Sequence, residues 1–303
     1  MKTLALLLLF CLAACAEPPK PPPRIVQPVL AEGAVIAADG ERLPLRQWLP
    51  AGEPKAILVA LHGFNDYGMA FDLSAPVLTR AGIAVYAYDQ RGFGQAPNIG
   101  RWAGAEAMRN DLYDFLRLLA RAHPGKKLFV LGESMGGAVA LTAFARLPDH
   151  VPEVAGLILV APAVWSRDEM PWYQDAALWL ADEVLPGMTV TGRGLHIQAS
   201  DNIEMLRKFS RDPLVIKETR IDAIKGLCDL MDDASQARVG LPGLVLFGAH
   251  DEVIPAEASG PFIAAQPKNL DIRLYPRGYH MLLRDLHADE PLADIVAWIG
   301  ARE

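Results

Sequence analysis

The sequence predicts an α/β fold: a mostly parallel sheet flanked by helices, with a helical cap insertion. Three observations predict it. Short, continuous apolar runs alternate with amphipathic helical segments. The runs lead into polar turns rich in glycine and histidine, and residues 164–239 break the alternation with short helices instead. The chain has 303 residues, 51% of them hydrophobic, which allows a large core and argues against disorder. A net charge of -7 and a pI near 5.5, with no dense Lys/Arg stripe, argue against nucleic-acid binding. Of the three cysteines, Cys11 and Cys15 lie at the extreme N-terminus and Cys228 stands apart, so no disulfide framework is indicated. No His/Cys/Asp/Glu cluster has metal-ligand spacing. Neither a metal nor a cofactor is expected.

The N-terminus reads as a leader. Met1-Lys2-Thr3 carries one positive side chain, and residues 4–12 form an apolar stretch too short to cross a bilayer. Leu12-Ala13-Ala14-Cys15 then resembles the lipobox of bacterial lipoproteins. That resemblance implies a signal peptide over residues 1–14, acylation of Cys15 and a Pro-rich tether over residues 15–32. Ala16 after the cysteine resembles the outer-membrane pattern. The expected location is the bacterial cell envelope, lipid-anchored at the periplasmic side of the outer membrane. Ala14-Cys15-Ala16 also satisfies the small-x-small rule of ordinary secretory cleavage, which leaves secretion to the periplasm as the alternative.

The elements follow in order. Two strands flank Ala38-Asp39-Gly40, whose Asp-Gly pair signals a hairpin. Ala56-Ile57-Leu58-Val59-Ala60-Leu61 reads as a strand buried on both faces and enters the loop His62-Gly63-Phe64-Asn65-Asp66-Tyr67-Gly68. A strand over residues 83–88 precedes Asp89-Gln90-Arg91-Gly92-Phe93-Gly94. Residues 105–122 form a helix with Leu112, Phe115, Leu116, Leu118 and Leu119 on an apolar face, closed by Pro124-Gly125. The strand Lys127-Leu128-Phe129-Val130-Leu131 runs into Gly132-Glu133-Ser134-Met135-Gly136-Gly137, and a helix of small residues follows to about Ala145. Residues 155–160 form another buried strand. Residues 33–163 and 240–303 are thus assigned to the α/β core and 164–239 to the cap, with helices over 171–184, 203–208 and 221–234. Most cap aromatics (Trp165, Trp172, Tyr173, Trp179) are expected to pack between cap and core. The alternation resumes with strands over 243–248 and 270–275, and a last helix runs over about 291–301.

The stretch around Ser134 is the chemical centre. A strand, a glycine-flanked serine and a helix form a nucleophile elbow. Gly132 and Gly136 leave room for close backbone packing, because they lack a Cβ. A serine hydroxyl needs a base, an orienting acid and a place for negative charge. Of the seven histidines, His280 stands best, in a glycine-flanked loop after the last strand. His287 is the alternative, but it falls among Arg284, Asp285, Asp289 and Glu290, which read as a solvated helix entry. His62 reads as a structural hydrogen-bonder. Asp251, in the loop after the 243–248 strand, is the expected acid, with Glu252 the alternative. The backbone N–H groups of Phe64 and Met135 are the expected oxyanion donors. Arg91 reads as a brace for neighbouring carbonyls or carboxylates rather than an anion site, and no Walker Lys-Ser/Thr is present.

These residues carry a family resemblance. His62-Gly63, Asp89-x-Arg91-Gly92-x-Gly94, Gly132-x-Ser134-Met135-Gly136-Gly137, Ser210-Arg211-Asp212-Pro213-Leu214, Gly248-Ala249-His250-Asp251 and Tyr279-His280 resemble the α/β-hydrolases. More narrowly they resemble the monoacylglycerol lipase and lysophospholipase group of the serine aminopeptidase S33-like (Hydrolase_4) kind. The resemblance implies an enzyme, a serine carboxylic-ester hydrolase that cleaves acyl lipids through an acyl-enzyme on Ser134. Its implied partners are an acyl-ester substrate and, through Cys15, a membrane. Thioesterase or acyltransferase chemistry on the same fold, and a non-catalytic envelope lipoprotein, are the alternatives.

Overall fold

The computed structural model describes residues 19–194 and 196–303. The expected signal peptide and the acylated Cys15 lie outside those residues. Eleven strands are described: β1 (Val29–Ala31), β2 (Ala34–Ile36), β3 (Arg42–Trp48), β4 (Ala56–Leu61), β5 (Ile83–Tyr88), β6 (Lys127–Glu133), β7 (Gly156–Val160), β8 (Thr189–Val190), β9 (Thr219–Arg220), β10 (Gly243–Gly248) and β11 (Leu270–Tyr275). Nine of them make one sheet in the order β1-β2-β3-β5-β4-β6-β7-β10-β11. The first three strands pair antiparallel, and β3 joins β5 antiparallel; from β5 through β11 every pairing is parallel. The chain reverses direction across the sheet at β4, which has β5 on one side and β6 on the other. Such a switch point opens a crevice at the carboxyl ends of the strands.

Strand periodicity divides the core in two. On β4, Ile57, Val59 and Leu61 enter one apolar cluster and Ala56, Leu58 and Ala60 the other. The helices are α1 (Ala75–Arg80), α2 (Ala105–Ala122), α3 (Met135–Ala145), α4 (Trp172–Val184), α5 (Ile203–Arg211), α6 (Ile221–Gln236), α7 (Ala256–Ala264) and α8 (Asp289–Gly300). Helices α1 and α8 cover the Leu58 face; α2, α3, α6 and α7 cover the Val59 face. α1 and α7 have no counterpart in the sequence reading. α1 is short, and α7 carries Pro261 inside it, so neither shows a clear helical period.

Three expectations are corrected. The tether does not extend to residue 32: Val29–Ala31 pairs with β2, the Ile25 and Val26 N–H groups donate to Ala38 O, and Arg24 forms an ion pair with Asp114 on α2. The prolines at 18–23 mask these contacts, because they are made by the residues that follow, 24–31, of which only Pro28 is proline. The insertion is also shorter than residues 164–239. Leu230, Met231 and Ala234 of α6 belong to the main core beside α3, so α6 is a sheet-covering helix by its packing. The aromatics of the insertion divide. Trp165 and Met170 pack on the core, whereas Trp172, Tyr173, Trp179, Leu180 and Leu185 are exposed. Among the buried side chains of α4 only Asp182 is found, so this helix presents most of its apolar surface outward. The short ribbon of β8 and β9 within the insertion was also not expected.

Candidate active site

The elbow is built by close backbone approach. Ser134 links β6 to α3 with φ 52° and ψ −116°, a conformation that L-residues rarely adopt and that stores strain of roughly 1–3 kcal/mol. The strain is held by bonds on both sides. Ser134 N donates to Val160 O at 3.0 Å, and Ser134 O accepts from Ala138 N at 3.1 Å and Ala163 N at 3.0 Å. A Cβ on Gly136 would collide with Leu61 O, and one on Gly132 with Gly136 O. These glycines are required by proximity, not by dihedral angle.

Beside the serine lies the loop after β4. A Cβ built on Gly63 would stand 3.4 Å from Ser134 Cβ and 4.0 Å from its Oγ, so the Gly63–Phe64 turn flanks the hydroxyl directly. Among the described residues neither the Phe64 N–H nor the Met135 N–H has a hydrogen-bond partner. Met135 opens α3, where the first N–H groups have no intrahelical acceptor. Met135 adjoins Ser134 in the chain and Phe64 follows Gly63, so these two unpaired N–H groups are the candidates to receive a developing oxyanion.

The expected acid and base meet across the sheet. Asp251 follows β10 and His280 follows β11, and His280 Nδ1 donates to Asp251 Oδ2 at 2.8 Å. The other oxygen, Oδ1, accepts the N–H groups of Val253 and Ile254, both at 2.9 Å. The carboxylate is thereby fixed, and the lone pair of His280 is left on Nε2. Among the described residues the side-chain partner of His280 is Asp251, and the Ser134 hydroxyl is not yet bonded to Nε2, as is common before substrate tightens such a site. Glu252 is turned away, where its Oε2 accepts Gln198 N–H at 2.8 Å. His287 lies beside Arg277, with its Nε2 3.1 Å from the guanidinium.

His62 has a different task. It is fully buried; Nδ1 donates to Gly63 O at 2.8 Å, and Nε2 accepts the Gln90 N–H at 2.9 Å. Burial pushes its pKa down, so the ring is neutral and stitches the β4 and β5 loops together. Arg91 braces carboxylates: Asp111 at 2.6 and 2.9 Å, Asp39 at 2.6 and 3.0 Å, and Glu41 at 2.8 Å.

One feature of the site was not legible in the sequence. Arg284 and Asp285, read there as solvated, are buried. Asp285 accepts the Tyr279 N–H at 2.8 Å and the Ser200 hydroxyl at 2.6 Å, which fixes the turn before His280. Arg284 donates to Asp66 at 2.7 Å and to Glu133 at 3.3 and 3.4 Å. The only local signal is that a carboxylate, Glu133, immediately precedes Ser134.

Comparison with known proteins fits this geometry. The profile of the family described as "Serine aminopeptidase, S33" (Hydrolase_4) matches residues 52–287. The chain is 27% identical to "Monoglyceride lipase" of Rattus norvegicus over 278 residues, covering 88% of this chain and 90% of the relative. It is 26% identical to "Monoacylglycerol lipase" of Mycolicibacterium smegmatis over 287 residues, covering 91% and 99%. Among solved structures, a soluble variant of monoglyceride lipase from Saccharomyces cerevisiae, in complex with a substrate analog, superposes with a TM-score of 0.74 at 22% identity, over 93% of this chain and 99% of that one. The Paleococcus ferrophilus monoacylglycerol lipase gives 0.73 at 22% identity, over 86% and 99%.

Proposed function

Because the chain belongs to the serine aminopeptidase S33 (Hydrolase_4) family, we propose that it is a serine carboxylic-ester hydrolase acting on acyl lipids of the monoacylglycerol and lysophospholipid type. The observation that carries this reading is the 2.8 Å Asp251–His280 bond at the sheet end that also presents the strained Ser134. In this reading His280 Nε2 takes the Ser134 proton as Oγ attacks the acyl carbonyl. The oxyanion rests on the N–H groups of Phe64 and Met135. His280 then gives the proton to the leaving alcohol, and later activates the water that releases the fatty acid. Asp251 keeps the proton on Nδ1 and stabilises the imidazolium.

An ester rather than a peptide is favoured by the carboxylates around the elbow. Glu133 and Asp66 are both buried and engaged by Arg284, so neither is free to hold the α-ammonium of a peptide. The exposed apolar side chains of α4 suit contact with an acyl-lipid surface. A fluorophosphonate probe tests the assignment. Wild type is expected to label and Ser134→Ala not to; label on both would reject Ser134 as the nucleophile. A panel of monoacylglycerols, lysophospholipids, acyl thioesters and aminoacyl amides then reads the substrate class.

The lipid anchor on Cys15 belongs to the same proposal and rests on the lipobox-like residues alone. No described helix is long and apolar enough to cross a membrane. A fatty-acid analogue should label wild type and not Cys15→Ser; equal label on both would remove the anchor.

A further inference from the structure

Three segments far apart in the chain meet at one guanidinium. Arg284 lies four residues after His280, in the short 3-10 turn Leu282–Arg284. Its Nη1 donates to Asp66 Oδ2 at 2.7 Å across 218 residues, and its Nη2 reaches Glu133 Oε1 at 3.3 Å across 151 residues. Asp66 sits two residues after Phe64, and Glu133 sits immediately before Ser134. All three side chains are nearly fully buried, with exposures of 6%, 3% and 2%. The Phe209 ring of α5 covers the guanidinium, 5.6 Å from Cζ. The main chain at Arg284 is pinned too, since its carbonyl accepts from Asn202 Nδ2 at 3.0 Å.

We propose that Arg284 is a positioning residue that holds the elbow, the Phe64 loop and the His280 turn in one register. This rests on the reading of Ser134 as the nucleophile. Without the cation, Glu133 and Asp66 would face each other as two buried carboxylates, and the loop bearing Phe64 would be pushed away from the elbow. The loop's other ties run elsewhere: Asn65 Nδ2 to Thr219 and Tyr67 Oη to Asp212, both at 2.7 Å, toward the insertion, and His62 and the Gly68 N–H to Gln90 and Asp89 after β5. Arg284 is therefore the side-chain link from the Phe64 loop to the elbow and to the base at once. A planar fork can bond two carboxylates in fixed, different directions, which the compact ammonium of a shorter, flexible lysine does less well. Stability alone does not account for the cluster. A buried ionic group is often replaceable by apolar side chains at no cost, and Arg284 Nε has no hydrogen-bond partner among the described residues. The surrounding charges act on the arginine in return. Burial by itself would lower its pKa, yet Glu133 and Asp66 hold it above the ordinary guanidinium value, so the cation is permanent.

The test compares wild type, Arg284→Lys, Arg284→Met and the triple variant Asp66→Asn/Glu133→Gln/Arg284→Met. Readouts are steady-state hydrolysis of p-nitrophenyl butyrate, the rate of fluorophosphonate labelling, and thermal unfolding. Arg284→Met is expected to lower kcat about 10–100-fold, the range a small misplacement of reacting groups produces, with KM nearly unchanged. Labelling should slow in parallel, and Arg284→Lys should recover part of the loss. The triple variant removes the uncompensated charges, so it should regain thermal stability and remain slow. Wild-type kcat in the triple variant, or in Arg284→Met with only its melting point lowered, would overturn the positioning role. Failure of wild type itself to take the probe would instead overturn the hydrolase reading beneath it.

Discussion

Asp251 Oδ2 and His280 Nδ1 stand 2.8 Å apart, although 29 residues and the whole of β11 separate them in the chain. The distance is set by the sheet. β10 and β11 pair in parallel with Gly248 opposite Tyr275, so the loops that follow leave the same edge side by side. Asp251 needs no further support from His280, because two backbone N–H groups already hold its other oxygen.

Asp251→Asn should therefore leave the fold intact and damage the chemistry. An amide can still accept the two N–H groups, but it no longer favours the proton on Nδ1. We expect kcat on a p-nitrophenyl ester to fall by about 10²–10⁴ with a near-native circular dichroism spectrum. Glu252→Gln, altered at a carboxylate that only anchors Gln198, should keep activity within about twofold. Comparable losses in both variants would mean that the acid is misassigned.

The backbone at Ser134 predicts a trade of activity for stability. Glycine adopts φ 52° and ψ −116° with far less strain than serine. Ser134→Gly should be inactive and more stable by about 1–2 kcal/mol, seen as a melting point a few degrees higher. An unchanged or lower melting point would show that the elbow stores no usable strain.

Close approach, by contrast, makes Gly136 irreplaceable. A Cβ there meets the Leu61 carbonyl in a packed backbone contact that cannot move without displacing β4. Gly136→Ala is expected to cost about 3 kcal/mol in urea unfolding. Gly52→Ala, at a site where a Cβ meets open space, should stay within about 0.5 kcal/mol.

His62 links stability to pH. Its folded pKa is lowered by burial, so the unfolded chain binds the proton more readily. Its contribution is fully present above the unfolded value of about 6.5 and is lost as pH falls below it, with a slope of up to about 1.4 kcal/mol per pH unit from this one group. Urea unfolding of wild type and His62→Gln at pH 7.5 and pH 5 reads the difference. Glutamine can replace one donor and one acceptor without titrating. The wild type should lose more stability than the variant on acidification, and parallel losses would refute the assignment.

Much of the architecture is legible without coordinates because it is encoded locally. Buried strands such as 56–61 and 243–248 are continuous apolar runs, and their bounds coincide with β4 and β10. The elbow is legible because two glycines and a serine must occur at fixed spacing for the backbone to turn there. Asp251 and His280 could be singled out because each follows a recognisable strand, and strand ends in a parallel sheet converge.

What the sequence by itself determined is thus the period of each element, the turn chemistry and the residues at the strand ends. Only the tertiary structure decided that Arg284 is a buried partner of Glu133 and Asp66, that α6 covers the sheet, and that residues 24–31 belong to the folded body. The physical reason is range. Periodicity and turn geometry act between neighbours and leave a local pattern, whereas an arginine flanked by acids reads as solvated until the fold brings carboxylates from 151 and 218 residues away to exclude the water.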